Sequence, residues 1–230
     1  MFTAYPFYGS RKLLALLEPE FAPLARNTVR RYMREMGLEA IYPKPNLSQR
    51  HPEHRVYPYL LRAVTPVEPN DVWGIDITYV RLRGGWMYLV AILDWFSRYV
   101  VSWALSDTLE LGFVLEAVEQ ALALARPRIW NSDQGSQFTS PQYTQRLCAA
   151  GVQISMDGRG RALDNIFTER FWRSLKYEEV YLHDYGSPRE ARAGITRYIG
   201  FYNHERPHQA LDYWTPAARY FAPPPAGYGT

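Results

Sequence analysis

Hydrophobic positions change their period along the chain, and those changes divide it. Leu13, Leu14, Leu16 and Leu17 in SRKLLALLEPEF predict a short first helix that stops near Pro19 and Pro23, since proline lacks a backbone donor and crowds the preceding turn. In RNTVRRYMREMGLEA, Val29, Tyr32, Met33 and Met36 fall at i, i+3, i+4 and i+7 and predict a second helix packed through that stripe. Asn27 is its expected cap and Gly37 the left-handed residue that ends it, with Arg30, Arg31 and Arg34 facing outward. Between 44 and 70 the pattern lapses. Pro45, Pro52, Pro58, Pro66 and Pro69 among polar residues predict an extended linker.

Beyond Asp71 the period becomes two. VWGIDITYV sets Trp73, Ile75, Ile77 and Tyr79 against Gly74, Asp76, Thr78 and Val80, while WMYLVAILD is apolar throughout and RYVVSWALS is rich in β-formers. Short links between the three predict an antiparallel meander. LGFVLEAVEQALALA predicts a helix, RIWNSD a short strand, SPQYTQRLCAAG a helix ending at Gly151, and VQISM another strand. Two further helices follow, one starting after Asp164 or Asn165 and one opening on the capping box of Ser187, Pro188 and Glu190. The expected class is α/β, with a mixed five-stranded sheet flanked by helices, preceded by a small helix-turn-helix region. The expected divisions are 1–43, a linker 44–70, a core 71–221 and a flexible tail 222–230.

Composition narrows the classes. Hydrophobic residues make up 47% and aromatics 15%, enough to bury a core and to exclude a disordered chain. One cysteine, Cys148, excludes an internal disulfide and a thiolate zinc site and fits a reducing compartment. No apolar run reaches membrane-spanning length and no export signal opens the chain, so a cytoplasmic location without membrane contact is expected. Charge is uneven: residues 1–66 carry ten Lys/Arg against five Asp/Glu, the remainder sixteen against eighteen. A basic head beside a near-neutral body fits a head that meets a polyanion, the alternative being an ordinary solvated face. The same two readings apply to the first two helices: a helix-turn-helix whose second helix approaches DNA, or a structural hairpin.

Three carboxylates stand out. Asp76 lies mid-strand among apolar residues, where an ionised group needs a partner or a cation; Gly74 and Thr78 share its face, and Thr78 is the one neighbour able to satisfy it as a structural residue. Asp133 ends a strand and is followed by Gly135, the setting of a ligand site or of a common turn. Glu169 falls early in a helix whose packing stripe is Phe167, Phe171 and Leu175, and shares another side with Arg173 and Lys176; an i,i+4 ion pair with Arg173 is the alternative to a site. Together the three supply hard oxygen ligands for magnesium, and two such ions about 3.5 to 4 Å apart promote in-line displacement at phosphorus.

Residues 71–221 closely resemble the integrase-type catalytic core of bacterial insertion-sequence transposases, a superfamily with a ribonuclease-H-like fold and an Asp, Asp, Glu triad. The resemblance is carried by WGIDITYV (73–80), LDWFSRYVVSW (93–103), NSDQGSQFTS (131–140), DNIFTERFWRSLKYE (164–178) and YNHERPHQAL (202–211), and by the thirty-five residues between Asp133 and Glu169. It implies a DDE transposase that cleaves DNA strands and transfers them. Asp76, Asp133 and Glu169 are then both the catalytic residues and the ligands of two Mg2+ ions, for which Mn2+ is a substitute. Arg173 and Lys176 are implied as contacts to the DNA backbone, and Arg30, Arg31 and Arg34 of the 7–43 region as contacts of a helix-turn-helix. Expected partners are double-stranded DNA, further copies of the chain on that DNA, and a transposase subunit from an upstream reading frame, since the head looks short for this family; a nucleoid-associated location follows. The alternatives are a catalytically silent DNA-binding relic or repressor and a ribonuclease H acting on RNA hybrids. His204, Arg206 and His208 form a polar cluster read either as a turn set by Pro207 or as a DNA contact.

Overall fold

The computed structural model describes residues 8–21, 23–38, 55–62, 64–158 and 166–222. The predicted helix start at Asp164 or Asn165, the first part of the predicted linker and nearly all of the predicted tail lie outside them. The chain forms two compact units, Met1–Gln49 and Arg50–Thr230.

The first unit holds α1, Ser10–Phe21, and α2, Arg26–Glu35, which meet through buried Leu13 and Val29. The first helix ends at Phe21, between Pro19 and Pro23, where the sequence placed its stop. Two details depart from expectation. The cap of α2 is Ala25, extended at φ −85° and ψ 141°, whose carbonyl receives the N–H groups of Thr28 and Val29; Asn27 already lies inside the helix. Finally, the apolar stripe is only half used, because Tyr32 and Met36 are exposed. Gly37 does end α2: at φ 65° its N–H donates to Arg34 O, and Leu38 N–H donates to Met33 O, a paired closure of the last turn.

The second unit is built on a sheet of order β3-β2-β1-β4-β5, comprising β1 Val72–Leu82, β2 Gly85–Asp94, β3 Val100–Ser106, β4 Ile129–Ser132 and β5 Gln153–Met156. β1, β2 and β3 are an antiparallel meander; β4 and β5 join parallel to β1. The apolar run of β2 is explained by burial on both faces. Val90 and Ile92 point with Trp73, Ile75 and Trp130 toward α3 (Leu111–Leu124) and α4 (Pro141–Ala149), while Leu89, Ala91 and Leu93 point with Val80 toward α5 (Ile166–Leu175) and α6 (Pro188–His204). Residues 89–93 are fully shielded, and Leu89, Val90, Ile92 and Leu93 each contribute about 1.5 to 3 kcal/mol. A short α7, Pro216–Tyr220, packs on α6.

Helix starts follow the chemistry of their first residues. Ser140 caps α4 through Tyr143 N–H, and Ser187 caps α6 through Glu190 N–H, with proline at the first helical position of each. Glu190 reaches back to Gly186 N–H at 2.8 Å, which closes the predicted capping box one residue early. Gly151, at φ 74°, turns the chain from α4 into β5. Residues 55–62 are seated on the sheet: Leu60 N–H donates to Ser155 Oγ at 3.1 Å, and Leu61 is buried with Val72, Trp95 and Ile129.

Candidate active site

β1 and β4 pair in parallel up to Gly74 opposite Asn131. Asp76 stands two residues further along β1, on the face away from Trp73, and Asp133 stands two residues beyond Asn131. Asp76 therefore points toward α5. Its Oδ2 accepts the Trp172 Nε1 hydrogen at 2.9 Å and its Oδ1 accepts the Ile77 N–H at 2.8 Å. The partner is thus Trp172, which the sequence reading missed, and not Thr78. Its signal was a tryptophan inside an amphipathic helix, since a buried indole needs an acceptor.

Burial drives the Asp76 carboxyl up to about 6, against the pull of the Trp172 and Ile77 hydrogen bonds; the negative charges of Asp133 and Glu169 push it further up. Both other carboxylates therefore lie close enough to act on Asp76 through space. Asp133 sits just past the end of β4, where Oδ1 accepts the Gly135 N–H at 2.7 Å and burial raises its carboxyl as well. A Cβ on residue 135 would stand 2.8 Å from that same oxygen, so any larger residue there would push the Asp133 carboxylate from its position. The strand ends are braced from below, where buried Asn131 donates to Asp157 Oδ1 at 2.7 Å and Gln134 donates to the Asp157 carbonyl at 2.9 Å.

Glu169 occupies the first turn of α5 and is exposed. Among the described residues it makes no ion pair, and Arg173 instead lies over the Tyr177 ring at 5.8 Å. Lys176 begins a single π-helical turn, Lys176–Val180, that widens the end of α5. Among the described residues no three His, Cys, Asp or Glu side chains are gathered tightly enough to ligate one ion. Magnesium takes only one or two protein carboxylates and completes its shell with water and substrate phosphate. The donor set, all hard oxygen, fits that ion.

In the first unit Arg30, Arg31 and Arg34 are all exposed, and Arg31 pairs with Glu35 at 3.6 Å on the surface. Of the cluster after α6, Arg206 grips Glu178 with two bonds of 2.8 and 2.7 Å and donates to His208 at 3.3 Å, so its charge is used in holding the turn; His204 remains exposed near Tyr99.

A sheet of this order, with carboxylates on β1, after β4 and on the helix following β5, defines an integrase-type core of the ribonuclease-H-like class. A family model described as an integrase core domain matches residues 66–162, a second of the same description matches 150–216, and an HTH-like domain model matches 1–46. The transposase for insertion sequence element IS629 of Shigella sonnei is 32% identical over 91% of this chain and 72% of its own length. The putative transposase InsK for insertion sequence element IS150 of Escherichia coli is 31% identical over 91% of this chain and 76% of its own. Among solved structures, the HTLV-2 integrase catalytic core domain in complex with magnesium covers 69% of this chain and all of its own at a TM-score of 0.55 and 20% identity, a likeness of fold. The chain belongs to the insertion-sequence transposases with an integrase core. No helix among the described residues is long and apolar enough to cross a membrane.

Proposed function

We propose that this chain cleaves DNA strands at the ends of an insertion sequence and joins them to a target, with Asp76, Asp133 and Glu169 as its catalytic residues. The observation that supports the reading is the parallel pairing of β4 with β1, which sets Asp133 at a strand end next to the strand that carries Asp76, where the charges of both Asp133 and Glu169 act on the Asp76 carboxyl. Asp76 with Asp133, and one of these with Glu169, would hold two Mg2+ ions, or Mn2+ in their place. When bound, the ions supply charge stabilisation at a phosphodiester and lower the pKa of water. The protein's part is positioning. Trp172 and Ile77 fix both oxygens of Asp76 and favour its ionised form, and Gly135 fixes Asp133. Arg173 and Lys176 lie on the same helix as Glu169, where they would hold the DNA backbone without reading sequence.

Residues 1–43 would serve as a DNA-binding region, with exposed Arg30, Arg31 and Arg34 toward the duplex, joined through 44–70 to a catalytic core of 71–221 and a tail of 222–230. Copies of the chain would assemble on paired DNA ends, together with a subunit from an upstream reading frame if one exists, at the nucleoid.

Purified protein incubated with DNA carrying the element ends and magnesium should nick it, and Asp76→Asn should lose the nicking while still binding DNA. Salt-sensitive binding by the natural chain with no cleavage would instead establish a silent DNA-binding protein.

A further inference from the structure

Arg98 combines two costly features. It lies in the turn between β2 and β3 at φ 65°, a left-handed conformation that glycine or asparagine adopts with less strain, and its N–H donates to Asp94 O at 2.8 Å. Its guanidinium is drawn inward over the Phe167 ring, 3.5 Å from the centroid, and its buried Nη1 has no hydrogen-bond acceptor. Among the described residues no carboxylate pairs with it. Burial pushes its pKa down to about 10, so it remains charged at neutral pH. A largely desolvated cation that the Asp94 charge attracts through space but does not pair with opposes folding, which points to an anion that arrives later.

Arg98 borders a cleft of about 220 Å³ whose wall also carries Arg170, Arg173 and Arg206, with no acidic residue lining it. Arg206 is already answered by Glu178. His208, held neutral by burial and by the neighbouring arginines, adds no charge. Arg98, Arg170 and Arg173 remain for a ligand. By helical spacing Arg173 stands one turn from Glu169, at the edge between the cleft and the carboxylates.

We infer that this cleft binds a phosphate group of the DNA backbone, with half-buried Arg98 as its anchor and Arg170 and Arg173 as its rim. The inference rests on the part of the proposed function that has the chain bind DNA, and not on its catalysis. Stacking on Phe167 fixes the plane of the guanidinium and leaves its edge for a forked contact to phosphate oxygens. Inorganic phosphate shares this chemistry, so the test separates the two sources.

The full chain, in EDTA, is titrated against a fluorescent duplex of mixed sequence over a series of salt concentrations, beside Arg98→Gly and Arg98→Asn. Both replacements tolerate the left-handed backbone, and circular dichroism should show both folded. The expected result is affinity lower by about tenfold and a plot of log K against log salt shallower by about 0.9, the value of one phosphate contact. Wild-type affinity and slope in the folded variants would overturn the proposal. In a parallel thermal melt, inorganic phosphate set against chloride at equal ionic strength reports the free ion. Protection that depends on Arg98 while DNA binding does not would assign the cleft to free phosphate and likewise overturn it. Because no divalent ion is present, failure of nicking in the Asp76 experiment would remove the catalytic reading and leave this result standing; the converse also holds.

Discussion

Replacing Asp76 by asparagine should change how stability depends on pH, in a direction fixed by the position of the carboxyl. In the folded chain it is lifted from its ordinary 3.8 to about 6. A carboxyl raised on folding contributes stability that is fully present below 3.8 and lost as pH climbs through 6, because the folded state resists ionising it. Each pKa unit is worth about 1.4 kcal/mol, so the whole effect is about 3 kcal/mol, of which about 2 kcal/mol falls between pH 4.5 and 7.5. The asparagine variant has no such group. It also loses an acceptor for either Trp172 or Ile77, but that cost is the same at both pH values and cancels in the difference. Urea unfolding of both proteins in EDTA at the two pH values measures it: the natural chain should lose about 2 kcal/mol more than the variant on going to pH 7.5. Magnesium at pH 7.5 should then restore the natural chain and leave the variant unchanged, since only the ionised oxygens attract it. Parallel pH dependence in the two proteins would refute the argument, and with it the claim that Asp76 is held in a desolvated site beside two other negative charges.

Two other substitutions probe the same geometry. Trp172→Phe keeps the apolar volume and removes the donor to Asp76 Oδ2; the carboxyl should rise above 6, and the acid limb of the cleavage profile should move about one pH unit upward, with activity at pH 7 several-fold lower. An unmoved acid limb in a pH-rate series would contradict that role. Gly135→Ala puts a methyl group against Asp133 Oδ1 at 2.8 Å, so cleavage should fall by at least about tenfold while the melting temperature changes by only a few degrees; full activity would show that Asp133 does not need its present position.

Much of the second unit was legible because its signals are local. The period of two in VWGIDITYV, the unbroken apolar run of β2, the serine and proline at the starts of α4 and α6 and the left-handed Gly151 each act within a few residues, and each of these elements appeared where its pattern placed it. The misses were competitions that a local pattern does not settle. Asn27 is a good cap, but the turn of backbone that makes a helix start falls at Ala25. Tyr32 and Met36 have helical spacing with Val29, yet among the described residues nothing buries them. The residues around Pro58 form neither helix nor strand, yet Ser155 and the apolar floor of Val72 and Ile129 give that segment a seat.

The amino-acid order alone therefore determined the strands and helices, their sequence along the chain, and the three acidic positions with their spacing, because periodicity, capping and motif are written in adjacent residues. Only the tertiary structure decided what meets what. It set Asp133 beside Asp76 by pairing β4 with β1, gave Asp76 its indole partner from a helix 96 residues away, and left the Arg98 charge desolvated beside Phe167. Those contacts depend on the path of the backbone through space, and the free energy of each group follows from neighbours that are far from it in sequence.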